Sequence, residues 1–509
     1  MTAPGSFNLY QELSYRRRLG WMYSLMCLLV AAGIGVVLSS FVTPLLLLIA
    51  GLALRLIAWL GVFTGPATAG VAAIEGWARY QLSNFSELVN SFDHIHAIAG
   101  LTLTFVPLSR LSTVMVPALL LGMLAWMRLR VLNLQAGGRD LIEILAARAA
   151  RTMDSEERRL VNLLETTAIA AGVPAPRLLI VEQSAVNAAA VGSSARNASV
   201  LVTRGLIETL PRAEIEAIMG RLVAAICAGD LAVAQSMDAV FQTFGLALTL
   251  IDLPVRFGAW RTLAGVALVN LIPVVSPKAV AGMARRLDDS FQADTIIDVD
   301  KFVARFPVKL LGQIVLAPLL PFIIISGLFK AVLFLWTSLF MGPPLWLMWR
   351  SRCLWTDATA ARRNLDPQEL ANAFGKLTGV PEGAQSRAYL FLGHNGSRRG
   401  ADDPRTTAMT MALVPPSGTR TKQLLALAGN PGPGVSDVQG DVHGGLTGHG
   451  STAHGPAGSR RLVLGVFVTI LLMILLPLGV TLIGLVGYLT LIVMSLALAG
   501  GLGLVLAFV

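Results

Sequence analysis

Three long apolar stretches constrain this chain before any motif does: Trp21 to about Phe63, Lys309–Trp349 and Leu462–Val509. A membrane span takes about 20 apolar residues, so each stretch is long enough for two. Only 14% of residues are charged and 54% are hydrophobic, against about 25% charged in a soluble domain. A mainly α polytopic membrane protein is expected. The net charge of +10 is read as arginines flanking spans on the cytoplasmic side: Arg16–Arg18, Arg128, Arg130, Arg139, Arg350, Arg352. No basic helix with interleaved aromatics stands out, so no nucleic-acid partner is expected. Cys27, Cys227 and Cys353 share no CxxC spacing and give no disulfide framework. The N-terminal arginine triplet runs into a long apolar stretch without a nearby small-residue cleavage site, the pattern of a retained anchor.

These signals divide the chain. Residues 1–20 form a cytoplasmic N-terminus, and 21–130 an N-terminal membrane region with an extracytoplasmic segment around 64–105. Arg55 would be costly inside a span, so the stretch around it is expected to be re-entrant or interfacial. Residues 138–308 are the first part of a more polar domain, 309–349 a transmembrane hairpin, and 350–427 the second part of that domain. A flexible Gly/Pro-rich linker, 428–459, leads to a C-terminal transmembrane hairpin, 460–509. Residues 231–280 alternate apolar patches with Arg256 and Arg261 and leave their membrane status open. His94 and His96 lack a third ligand nearby and read as a surface pair, and His443, His449 and His454 are irregularly spaced.

Within the polar domain the local signals are stronger. Gly138–Met153 reads as a helix. Asp154 is an N-cap followed by the acidic turn Glu156-Glu157, opening a helix that stops at Gly172-Val173-Pro174. Arg177–Glu182 and Ala198–Thr203 read as strands joined by a turn-rich loop containing Asn187 and Gly192. Helices follow at Pro211–Asp230 and Glu369–Leu377, the latter behind Asp366-Pro367.

The helix at Glu216–Asp230 reads EAIMGRLVAAICAGD. Together with the helix containing Arg158–Glu165 and Ala168–Pro174, the segment Val186–Gly192, the strand Val200–Leu206 and the later Asp366–Leu377, it resembles the HtpX-like membrane zinc metallopeptidases, relatives of the CAAX prenyl proteases. The resemblance covers roughly residues 138–427 and implies a cytoplasmic α+β zincin-like domain. In such enzymes two histidines of an HExxH helix stack at i and i+4 and bind zinc, while the adjacent Glu polarises water. The register the resemblance implies puts Arg221 and Ala225 at the two His positions, Leu222 at the catalytic Glu, Cys353 at the third ligand and Val414 at a further family His. A competing third-ligand segment, Arg285–Asp294, would use Ser290. Cys353 is preferred because it follows the 309–349 hairpin and precedes the Asp366–Leu377 match. Cys227, two residues past Ala225, lies about 200° round the helix from it.

The implied function is a catalytically inactive membrane metallopeptidase homologue that binds or scaffolds protein. The alternative is an active integral-membrane zinc metalloendopeptidase using a rebuilt site. No cofactor is expected, zinc included. The expected partners are membrane lipid and protein, in a bacterial cytoplasmic membrane. Glu216, Asp230 and Asp357 are read as structural carboxylates, with Arg221 a partner for them. The resemblance also implies a polypeptide-binding edge from Asn187, Ala188, Ala189 and Ala190 with Val200 and Val202, weakened because Ala189 stands where the family carries Phe. No phosphate-binding Gly-rich loop or GxSxG elbow is present.

Overall fold

The centre of the fold is a four-stranded sheet whose strands are short and mostly aliphatic. A computed structural model describes residues 20–35, 108–151, 153–253, 256–271, 276–292, 342–364, 367–393 and 412–428, with scattered positions within 72–80 and 323–338. Most of the expected segment around 64–105, including His94 and His96, most of the 309–349 hairpin, the linker beyond residue 428 and the 460–509 hairpin lie outside the described residues. In chain order the elements are α1 (Gly20–Gly35), α2 (Leu108–Ala136), α3 (Arg139–Ile144), β1 (Arg148–Ala149), α4 (Ser155–Ala171), β2 (Arg177–Val181), β3 (Ala188–Val191), β4 (Ser199–Thr203), α5 (Arg204–Thr209), α6 (Arg212–Ala228), α7 (Asp230–Ile251), α8 (Phe257–Leu271), α9 (Pro277–Gln292), α10 (Gly342–Asn364), α11 (Pro367–Lys376) and α12 (Ser417–Leu427).

The strand order is β1-β2-β4-β3. β2 and β4 run parallel, with Leu179 opposite Leu201, while β1 and β3 flank them antiparallel. Val200, Leu201 and Val202 of β4 are buried whichever way they point, as expected of a central strand covered on both faces. β3 was expected as loop. Its Ala-Ala-Ala-Val sequence has little intrinsic strand preference, and pairing of Ala188–Val191 with Val202–Ser199 makes it a strand.

The expected helix over Gly138–Met153 is corrected by the structure. The helix ends at Ile144, Ala146 takes a left-handed φ of 47°, and Arg148 extends to pair with Ile180. An ion-pair network supplies the reason. Arg148 forks onto the fully buried Glu157 at 2.9 and 2.6 Å, Arg204 Nη2 donates to the same carboxylate at 2.6 Å, and both arginines reach Glu182. Side-chain pairing across three elements outweighs the local helical preference. Glu157 also sits in the first turn of α4, where Asp154 accepts from the backbone N–H of Glu156 and Glu157. At the other end Gly172 closes the helix at φ 67°, so α4 follows the sequence expectation.

α6 lies against β3, α4, α10 and α11. Its first turn is tied down by Lys376 Nζ, 2.5 Å from the buried Glu214, and its body buries Met219, Leu222 and Val223 completely. Each such side chain contributes about 1.5–3 kcal/mol of burial. Gly229 ends α6 in the left-handed region at φ 77°, and the chain turns directly into α7. Among the described residues α7 is the helix long and apolar enough to cross a membrane by length and composition, and 83% of its apolar window is buried inside the protein. It packs on α2 and α9. A Cβ at Gly245 would come within 2.5 Å of the Leu287 carbonyl on α9, so this close crossing requires glycine. Three apolar cores result among the described residues. One lies between one face of the sheet, α4, α6 and α11; a second is shared by α1, α2, α7, α9 and α10; a smaller third packs Leu141, Leu145 and Phe391 on the other face of the sheet. The ionic groups described next sit where the first two meet.

Candidate functional site

Arg221 and Ala225 are one helical turn apart on α6 and share a face. Opposite them, α10 presents Cys353 and Arg352, and the chain on either side of the start of α12 presents Val414 and Arg420. These six residues line one cavity of about 30 Å³, closed further by Asp230 and Trp349. Four of the five family site positions implied by the resemblance therefore come together. The fifth, Leu222, is fully buried in the sheet-side core and lines no part of the cavity. Ser290 of the competing segment does not reach the cavity, and neither does Cys227, whose thiol points toward the Ala171 carbonyl at 3.9 Å.

The cavity is built from ion pairs. Asp357, fully buried, accepts from Arg221 Nε at 3.0 Å and from Arg420 Nε and Nη2 at 2.7 and 2.9 Å. Arg420 also donates through Nη1 to the Leu392 carbonyl and stacks over Phe374, 3.8 Å from its centroid. Arg352 donates through Nε to Asp230 at 2.8 Å, and through Nη2 to the same carboxylate and to the Ala228 carbonyl. Thr356 Oγ1 donates to Asp230 at 2.8 Å. Burial alone would push the Asp357 carboxyl up, but Arg420 and Arg221 outweigh it and hold it below the usual range. Burial likewise works against the Arg221 guanidinium, and Asp357 more than offsets this, so Arg221 stays charged. Three arginines face two aspartates, a net charge of +1. Asp230 and Asp357 are thus ion-paired structural carboxylates, whereas Glu216 is exposed.

Zinc takes four N, S or O ligands. Of the three ligand positions only Cys353 carries a ligand atom, and burial pushes its thiol up to about 11, with Arg221 and Arg420 pulling the other way. Arg221 and Ala225 offer no lone pair. This donor set does not fit zinc. Among the described residues no group of three or more His, Cys, Asp or Glu is arranged to hold a metal ion.

The implied polypeptide-binding edge is corrected. Val200 and Val202 lie on β4, which is paired on both sides by β2 and β3, so neither is at an edge. The outer side of β3 is met by the chain itself. Ala189 bridges Phe391 antiparallel, and Leu392 N–H donates to the Ala188 carbonyl at 3.1 Å. Asn187 clamps this segment: its Oδ1 accepts from the N–H groups of Leu392 and Gly393, and its Nδ2 donates to the carbonyls of Gly379 and Gly393. Asn187, Ala188 and Ala189 are completely buried.

A second buried cluster escaped sequence reasoning. Arg387, in the 3₁₀ turn Gln385–Leu390, reaches Asp140 of α3, Asp238 of α7 at 2.9 Å and Asp288 of α9 at 3.0 Å. A cavity of about 20 Å³ adjoins it, lined by Asp140, Asp238, Arg387, Gln235 and Tyr389. The sequence signal is slight: Asp238 stands in the apolar α7 and demands a partner without naming it, while Asp140 and Asp288 sit among other charged residues of α3 and α9 and do not stand out. Burial raises the Asp288 carboxyl well above its ordinary range; Arg387 opposes this, while Asp238, Asp140 and Asp289 add to it.

Residues 154–296 match Peptidase family M48. A "Protease HtpX homolog" of Thermoanaerobacter pseudethanolicus is 32% identical over 121 residues, which is 24% of this chain and 40% of that protein. A "Protease HtpX homolog" of Streptococcus pneumoniae (strain Taiwan19F-14) is 37% identical over 84 residues, 16% of this chain and 28% of that protein. The chain thus spans less than half the length of these relatives. No solved structure matches. The family match includes α6 and Ser290 but stops short of Cys353, which joins Arg221 and Ala225 only in three dimensions.

Proposed function

Because the chain is an HtpX-like relative of peptidase family M48 over residues 154–296, we propose that it is a pseudopeptidase: a membrane-embedded homologue that binds protein without cleaving it. The observation that carries this reading is the pair Arg221–Asp357. The register implied by the resemblance puts the family's first histidine at Arg221, whose guanidinium is locked to a buried carboxylate at 3.0 Å. A cation fixed there repels a second cation, and the neighbouring Leu222 cannot act as a general base. The apolar stretches at 21–63, 309–349 and 462–509 support residence in a membrane, with the arginine flanks favouring the cytoplasmic side for the peptidase-like domain and a bacterial cytoplasmic membrane as its setting.

The test is made on the 509-residue chain purified in detergent, with metal analysis alongside casein cleavage and self-cleavage assays. Zinc well below one equivalent and no cleavage are expected. One equivalent of zinc together with chelator-sensitive proteolysis overturns the reading in favour of an active metalloendopeptidase.

A further inference from the structure

The three arginines of the α6–α10 cavity are not equally satisfied. Arg420 forks onto Asp357 and spends its remaining terminal nitrogen on a carbonyl; Arg352 forks onto Asp230. Arg221 is different. It is 93% buried by its 7% exposure, its single hydrogen bond is the one from Nε, and its terminal amino groups donate to no protein atom among the described residues. Those amino groups belong to a residue that lines the cavity; of the two carboxylates nearby, Asp357 is shared between Arg221 Nε and Arg420, and Asp230 is taken by Arg352 and Thr356. A buried guanidinium with spare N–H groups and an excess unit of positive charge is costly unless something compensates it.

We propose that the cavity binds one compact monovalent anion of halide size, held by the free N–H groups of Arg221. Volume and charge select this class. A water needs about 10–15 Å³ of such space, so about 30 Å³ is room for two waters or one halide and suits these better than a phosphate or sulfate. Two waters would satisfy the donors and leave the charge uncompensated; a monovalent anion does both. Ala225, Val414 and Trp349 supply a weakly hydrating wall, which suits an anion that sheds its water easily. The inference rests on the charge and shape of the cavity and not on whether the chain cleaves protein, so metal content and proteolysis test that separate question.

The experiment is thermal unfolding of the purified chain in sodium chloride against sodium gluconate at equal ionic strength, with chloride-35 line broadening as a direct readout. Linkage predicts a saturating rise of roughly 1–3 °C in chloride over gluconate, and bromide should compete for the broadened chloride signal. Arg221→Gln should abolish both effects. Should that variant fail to fold, Ala225→Leu keeps every charge while filling the cavity, and it should lose the chloride response with its gluconate midpoint little changed. Equal midpoints in chloride and gluconate with no line broadening overturn the proposal, as does a chloride response that persists unchanged in Ala225→Leu.

Discussion

Two buried ionic clusters stand side by side in this molecule, and they are unbalanced in opposite directions. The cavity at Arg221 gathers three arginines around two aspartates; the cluster at Arg387 gathers three aspartates around one arginine. Their cavities share a wall of Ala190, Leu231, Ala234, Tyr389 and Leu390. A buried excess of charge is relieved by taking up a proton or an ion. The acidic cluster can take up protons within its own carboxyls. The arginine cluster cannot, because guanidinium does not give up its proton in the accessible range, and so it must look to an ion. The same fold junction therefore carries one site governed by pH and one governed by salt.

The largest effect is expected at Arg387. Removing it by Arg387→Leu leaves Asp140, Asp238 and Asp288 buried with no cation, in contact with three separate helices. Breaking a buried pair from one side costs about 3–5 kcal/mol, and three carboxylates depend on this one group. The variant should lose most of its folded yield, with the midpoint of urea unfolding falling accordingly. In the other cluster Asp357→Asn should come next, at about 3 kcal/mol, since it strands two guanidiniums at once. Arg221→Leu should cost clearly less than Asp357→Asn, because Arg420 retains its fork on Asp357. Equal losses for Arg387→Leu and Arg221→Leu would erase the asymmetry between the clusters.

How much of this was legible in the sequence follows from what each feature depends on. α4 and α11 were readable because caps and breakers are local: Asp154 before Glu156-Glu157, Gly172 at the far end, Pro367 at a first turn; α6 was expected to run on to Asp230, past the left-handed Gly229 that ends it. The strand at Ala188–Val191 and the break after Ile144 were not readable, because pairing with β4 and the pull of Glu157 on Arg148 act across distant residues. The juxtaposition of Arg221, Ala225, Cys353 and Val414 could be anticipated only through the register that the resemblance implied. The partners Arg352 and Arg420 were invisible in that role: Arg352 read as a membrane flank, and nothing local marks Arg420. Val200 and Val202 were misplaced at an edge because strand order is set by tertiary packing, not by the strands' own sequences.

Acid and base should act on the clusters with opposite sign. Asp288 has its pKa raised in the folded state, so the folded protein holds the proton more tightly than the unfolded chain. Its contribution is complete below the ordinary carboxyl range and is lost as pH rises through the folded value. Asp288→Asn should therefore stabilise the protein at alkaline pH and do little at acid pH. Glu157 is the reverse. Arg148, followed by the Arg151 N–H and Arg204, outweighs burial and lowers its pKa to about 2, so its contribution is present above the ordinary range and fades as pH falls toward 2. Glu157→Gln should flatten the acid limb of the stability curve and leave the alkaline limb alone. Unfolding midpoints measured from pH 2 to pH 9 on both variants distinguish the two; an Asp288→Asn benefit that grows toward acid pH would reverse the assignment.

The smallest effect concerns reactivity and not stability, and it tests whether the arginine cavity is closed. A thiolate, not a thiol, attacks an alkylating reagent. Cys353 lies between Arg221 and Arg420, which would lower its pKa in an open, wet site, yet burial dominates and raises it to about 11 from 9.0. Two units of pKa reduce the thiolate fraction at pH 8 by roughly 100-fold, before any restriction on access. Cys227 lies on the opposite side of α6 and is only half-buried. Iodoacetamide at pH 8 should therefore label Cys227 well before Cys353, as read by peptide mass spectrometry over time. In Arg221→Gln the order should persist, because burial and not charge protects the thiol. Rapid labelling of Cys353 in the unmodified chain would mean that the cavity is open to solvent, and the opposition between a salt-governed and a pH-governed cluster would lose its physical basis, since water could then screen the excess charge of both.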